Sequence, residues 1–145
     1  MVGLSSNAFR PSHFAAIYLL SEGYDVIPVN PREAEVLGRK SYRTIGDIPG
    51  PVEVVDIFRE PAAVPAIVDE AIAAHAKVIW MQLGVISEEA EKLAKDADLT
   101  VIMDRCPKIE HGRFSGEIGW MGVNRKVIDN RKPLLFGKGG SLKRA

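Results

Sequence analysis

The residues best suited to chemistry open the chain: Met1-Val-Gly-Leu-Ser-Ser-Asn-Ala-Phe-Arg-Pro-Ser-His13. A strand that ends at Gly3, a turn of small polar residues and a helix start leave backbone N–H groups facing outward beside a positive helix end. That arrangement grips phosphate. Ser5, Ser6 and Asn7 permit close backbone approach and add side-chain donors, while Arg10 adds a cation. The ligand expected there is a nucleotide. Against the dinucleotide fingerprint G-x-G-x-x-G/A, Gly3-Leu-Ser-Ser-Asn-Ala8 keeps only the first glycine and the last small residue, so the turn alone also fits an ordinary strand-to-helix connection.

A second position narrows the chemistry. Nicotinamide-dependent enzymes normally end their second strand with Asp or Glu to hold ribose hydroxyls, whereas this chain has Asn30 between Val29 and Pro31. A neutral amide, with Arg32 beside it and Arg39 and Lys40 close behind, suits a nucleotide that bears an additional ribose phosphate. Cys106 is the one thiol; with His111 it could form a nucleophile and base, but no third, orienting group completes an acyl-transfer set. His13 and His75 read as structural, and Asp56 and Asp104 as caps or ion-pair partners rather than an acid-base pair. Trp80 reads as core. No Cys/His cluster has zinc spacing, so no metal is expected.

These residues need a scaffold that aligns them. Ser12 to Gly23 has a candidate N-cap, apolar residues at helical spacing and a terminal glycine, which predicts the first helix. Asp25 to Pro31 predicts a second strand after the Gly3 stub, and Glu33 to Leu37 one helical turn before Gly38. Val52 to Phe58 predicts a third strand, Pro61 to His75 a helix, Lys77 to Gln82 a fourth strand, Ser87 to Ala97 a Ser-capped helix, and Leu99 to Met103 a fifth strand. Strands apolar on both faces that alternate with helices predict an α/β fold with a doubly wound parallel sheet. Ligands in such sheets lie beyond the carboxyl ends of the strands. That rule selects Ser5 to Ser12, Asn30 to Arg32, Arg59 to Pro61, Gln82 to Val85 and Asp104 to Lys108. Gly112 to Leu135 has only weak periodicity.

At 145 residues, with a mean hydropathy near zero, the chain suffices for one compact domain. Its net charge is zero but divided: residues 1–104 carry 9 Lys/Arg against 16 Asp/Glu, and residues 105–145 carry 10 against 3. The basic tail suits an anionic ligand or the acidic body of another subunit, which leaves a homo-oligomer open. It has few aromatics among its charges, which argues against nucleic acid. No apolar run is long enough for a membrane span, and a single cysteine fits a reducing compartment, so a cytoplasmic location is expected. Gly137 to Ala145 reads as a flexible end.

Taken together and in order, Val2-Gly-Leu-Ser-Ser-Asn7, Pro28-Val-Asn-Pro31, Val55-Asp-Ile-Phe-Arg59, Trp80-Met-Gln-Leu-Gly84 and Asp104-Arg-Cys106 with Glu110-His111 resemble the small stand-alone CoA-binding domain proteins. These are similar to the CoA-binding domain of the succinyl-CoA synthetase alpha subunit. The resemblance covers residues 1–116 as a Rossmann-like domain and leaves 117–145 as a basic, partly flexible tail. It implies a five-stranded parallel sheet ordered 3-2-1-4-5 with coenzyme A or an acyl-CoA across the strand ends. By that resemblance Gly3, Ser5, Ser6, Asn7 and Arg10 meet the phosphates, and Asn30 and Arg32 lie by the adenosine end. Phe58, Arg59 and Pro61 line the adenine, Gln82, Leu83 and Gly84 follow the pantetheine, and Arg105 and Cys106 flank its far end. Only Met1 and Val2 precede Gly3, so a central first strand this short is expected to leave its neighbours with unpaired backbone groups.

The function expected is binding of CoA without catalysis. Two alternatives stand beside it: thiol or acyl exchange between Cys106 and CoA, and a regulatory or scaffold module docked through the tail.

Overall fold

Runs of β-branched residues build the centre of the molecule. In the computed structural model, which describes residues 1–115, Val54–Ile57 (β3), Val78–Met81 (β4) and Thr100–Ile102 (β5) form a parallel sheet in the order β3-β4-β5. Val54 lies opposite Val78 and Val78 opposite Thr100, so the strands start level and end together at one edge. Val55, Ile57, Ile79 and Met81 point to one face and are buried against Val64, Val68 and Ala71 of Val64–Ala73 (α2) and Ala90 and Ala94 of Glu88–Asp96 (α3). Each large side chain so buried contributes roughly 1.5–3 kcal/mol. Alanines at positions 90 and 94 bring α3 close, as the three-and-four spacing requires.

The other face carries Val54, Asp56, Val78, Trp80, Thr100 and Ile102. With Leu19, Tyr24, Pro107, Glu110 and His111 they line an open cavity of about 1080 Å³. Pro11–Ser21 (α1) and Pro107–Ser115 (α4) lie on this side and pack together, so helices flank both faces, as the alternating pattern predicts.

The first two predicted strands shrink to single bridges, yet their backbone is satisfied. Val2 pairs in parallel with Val29 on one side and Ile57 on the other. Its N–H donates to the Asp56 carbonyl at 2.8 Å, and its own carbonyl accepts from the Phe58 N–H at 2.9 Å. Toward Val29, Gly3 N–H donates to the Val29 carbonyl and Val29 N–H to the Met1 carbonyl. The unpaired groups expected around a two-residue stub are therefore absent at Val2. Pro28 and Pro31 deprive the second strand of donors, which limits its ladder.

Three expectations need correction. The order 3-2-1-4-5 is not found: Val2 stands between Val29 and β3, and Tyr42 pairs with Val29 on its far side, which puts the predicted third strand beside the first. A right-handed crossover is compatible with insertion on either side, so the local pattern does not discriminate. Residues 33–37 are not helical. Glu35–Val36 (β1) and Arg39–Lys40 (β2) form an antiparallel hairpin, because Leu37 and Gly38 adopt φ values of 54° and 72°, the left-handed pair of a tight hairpin turn. Helix α1 starts at Pro11, whose missing N–H costs nothing at the first helical position. Ser12, the expected cap, is instead buried and accepts from the Ser5 N–H at 3.3 Å.

Pro61–Ala63 forms a 3-10 turn ahead of α2, and Ser87 caps α3 by accepting from the Ala90 N–H at 3.3 Å. Helix α4 arises where only a loop and weak periodicity were read; Pro107 at its first position is the signal that could have found it. No described helix is long and apolar enough to cross a membrane. The tail assigned to residues 117–145 and the flexible end from Gly137 lie outside the described residues.

Candidate functional site

Parallel register delivers Gly3, Asn30, Phe58, Gln82 and Asp104 to the same edge of the sheet, and hydrogen bonds stitch the loops there into one surface. Gly3 has φ +84°, and a Cβ on it would sit 2.5 Å from the Phe58 carbonyl oxygen and 3.0 Å from Arg59 Cδ. Only glycine permits this approach of the first loop to Phe58-Arg59. Asn30 Nδ2 donates to the Leu4 carbonyl at 2.9 Å, and its Oδ1 accepts from the Arg32 N–H at 3.0 Å. The Asn30 side chain is thus committed to joining two loops.

The loop from Ser5 to Arg10 is organised internally. Asn7 N–H donates to Ser5 Oγ at 3.2 Å and Phe9 N–H to Asn7 Oδ1 at 2.9 Å. His13 is buried and its Nδ1 lies 2.9 Å from the Ser5 carbonyl, which only accepts, so the proton resides on Nδ1. The structural reading of His13 agrees with this. The Ser6 N–H and hydroxyl both donate to Glu33 Oε1, at 3.1 and 3.0 Å. The outward-facing amides expected in this turn are therefore largely engaged, by the loop's own side chains and by Glu33. Arg10 and Arg32 are exposed, as are Asn7 and Ser6.

On the other side of the edge, Phe58 and Arg59 are half-buried and Pro61 is exposed; the Arg59 guanidinium donates to Glu60 at 3.3 Å. Gln82 is buried and donates through Nε2 to Asp56 Oδ1 at 2.8 Å, so its side chain supports the sheet rather than facing solvent. Leu83 is exposed, and Gly84 (φ +78°) donates its N–H to Asp104 Oδ1 at 2.8 Å. Asp104 therefore clamps two strand-end loops. Arg105 is exposed, and its carbonyl accepts from Trp80 Nε1 at 2.7 Å. Cys106 is half-buried immediately before α4.

His111 does not face the same way as Cys106. The two are five residues apart, roughly 140° around a helix, and His111 Nδ1 lies 2.9 Å from the Tyr18 hydroxyl on α1. Its ring also meets Tyr18 and Tyr24 edge-on. The described geometry thus gives His111 a place between α4 and α1.

Asp56 lies in β3 rather than in a loop, with 5% of its surface exposed. Burial pushes its carboxyl up to about 6; the Gln82 hydrogen bond and the chain's amino terminus pull the other way. Its Oδ2 and Glu110 Oε1 are buried acceptors with no partner among the described residues. Both residues line the large cavity, which follows the sheet face down to the starts of the strands, away from the carboxyl edge. No group of three or more potential metal ligands occurs among the described residues.

Sequence reasoning missed Glu33 and the clamping role of Asp104, and it gave Ser12 a helix cap in place of its bond to the Ser5 N–H. Glu33 carried one signal: it stands three residues after Asn30, whose carbonyl accepts the Glu33 N–H at 3.2 Å, and that turn returns the side chain toward the first loop.

Comparison with known proteins agrees with this architecture. The chain is 39% identical over 111 residues to YneT of Bacillus subtilis (strain 168), covering 77% of this chain and 82% of that protein. A hypothetical protein from Pyrococcus horikoshii OT3 superposes with a TM-score of 0.76 at 45% identity, covering 77% of this chain and 79% of the other. A dinucleotide-forming acetyl-coenzyme A synthetase of Ca. Korarchaeum cryptofilum matches with a TM-score of 0.65 at 25% identity, over 71% of this chain but 25% of that larger one. A family model described as the CoA binding domain matches residues 1–112. With that match spanning most of its length, the chain belongs to the CoA binding domain family.

Proposed function

We propose that this protein binds coenzyme A, free or acylated, at the carboxyl edge of its sheet, and performs no chemistry on it. The observation that carries the reading is the Asn30–Leu4 hydrogen bond at 2.9 Å, which joins the first two strand-end loops in a chain of the CoA binding domain family. In this proposal Gly3, Ser5, Ser6, Asn7 and Arg10 hold the diphosphate, and Arg32 lies near the adenosine. Phe58, Arg59 and Pro61 line the adenine. Leu83 and Gly84 follow the pantetheine toward Arg105 and Cys106. Asn30 and Gln82 act through what they brace, Asn30 by holding Leu4 and Arg32 and Gln82 by holding Asp56.

Calorimetric titration with CoA is the test. Binding at micromolar or tighter Kd, weakened for dephospho-CoA and for NAD and lost on Arg10→Ala, is expected. Absence of CoA binding, or equal affinity for NAD, overturns the proposal.

A second reading rests on Cys106, which stands half-buried between Arg105 and the start of α4. In it the Cys106 thiolate attacks CoA disulfide, forms a protein–CoA mixed disulfide and releases one CoA thiol. Mass spectrometry after incubation with CoA disulfide decides it: an unmodified Cys106 rejects the exchange. The scaffold reading depends on residues 117–145 and is tested by the change in assembly size on their deletion.

A further inference from the structure

Glu33 occupies the place where an anionic ligand would seat. One of its oxygens accepts from both the backbone N–H and the hydroxyl of Ser6, at 3.1 and 3.0 Å, across 27 residues of chain. This is the pair of donors that a phosphate oxygen would take from a strand-to-helix turn. Glu33 is half-buried and has no cation among the described ion pairs, although Arg32 adjoins it in sequence. Its direction is fixed locally, because its own N–H is held by the Asn30 carbonyl and the Arg32 N–H by Asn30 Oδ1.

A carboxylate and a phosphate cannot share these donors. Both are anions, and they would lie side by side on the same two donors of Ser6. We infer that Glu33 is an internal competitor for the anion seat at Ser6, a residue that sets how tightly the first loop takes a phosphorylated ligand and is displaced when such a ligand binds. The inference rests on the proposal that this edge binds CoA, and it refines that proposal. With the seat empty, the carboxylate satisfies the Ser6 donors and keeps the loop ordered. With ligand present, Glu33 has to turn outward toward solvent.

Neutralising the charge while keeping the acceptor separates this role from a structural one. Glu33→Gln is expected to bind CoA about tenfold tighter than the parent protein, and Glu33→Ala at least as tightly as the parent. Glu35→Gln, on the neighbouring exposed acid, should leave affinity unchanged. A second measurement follows the Ser6 amide resonance during titration with inorganic pyrophosphate, with half-saturation expected at lower concentration in Glu33→Gln. If the parent binds CoA and both Glu33 variants bind it equally or more weakly, the competitor role is wrong and the binding site stands. If CoA binds none of the proteins yet pyrophosphate moves Ser6 more readily in Glu33→Gln, the CoA site is wrong and the competitor role stands. Failure of both measurements overturns both.

Discussion

Asn30 reaches from the end of the second strand to the first loop and donates its side-chain amide to the Leu4 carbonyl at 2.9 Å, while its Oδ1 holds the Arg32 N–H. The residue thus does two jobs that require an amide: one donor and one acceptor on the same planar group. Asn30→Asp keeps the acceptor but turns the donor into a second oxygen against a carbonyl. The expected cost is about 2 kcal/mol of stability, read from the urea midpoint. A midpoint equal to that of the parent protein would show that the bond is dispensable.

Gly3 is the second point where loops meet. A methyl group there would press on the Phe58 carbonyl at 2.5 Å while the backbone holds φ +84°. Gly3→Ala is expected to lose about 2–3 kcal/mol, whereas Gly23→Ala, with nothing within 4 Å of its added Cβ, meets only the backbone penalty of its φ of +87°. Equal losses in the two variants would refute the close approach.

Asp56 makes stability depend on pH in a predictable direction. Its carboxyl titrates at about 6 in the folded protein against an ordinary value of 3.8, so the folded state holds a proton that the unfolded state has already released. Stability from this group is complete below pH 3.8 and is lost as pH rises toward 6, by about 3 kcal/mol in all. Asp56→Asn keeps an oxygen for Gln82 Nε2 and should flatten this slope. Denaturation curves at pH 4, 5 and 6 decide the matter, and an unchanged slope in the variant would assign the effect to another group.

Tyr18 ties α1 to α4 through its hydroxyl and His111. Tyr18→Phe should cost about 1 kcal/mol and raise amide exchange in residues 109–113, with α2 and α3 unaffected. Uniform exchange increases throughout the chain would mean that α4 does not open separately.

Much of this architecture could be read along the chain. Helices α2 and α3 follow from apolar spacing and the Ser87 cap, and β3 to β5 from β-branched runs. These signals are legible because each depends on residues within one or two turns of one another. The five strand-end loops followed from the same regularity, and the family resemblance from their motifs in order. What stayed hidden involves residues far apart in sequence. Leu37 gives little local warning of its left-handed turn, and nothing near Val2 says on which side β3 will insert. That choice sets which loops adjoin. It ties Gln82 to Asp56 by seating β3 beside β4, while the pairing of Val2 with Val29 places Glu33 on Ser6 and gives Asn30 the Leu4 carbonyl, because a hydrogen bond spanning 26 or 27 residues exists only once the strands have found their neighbours.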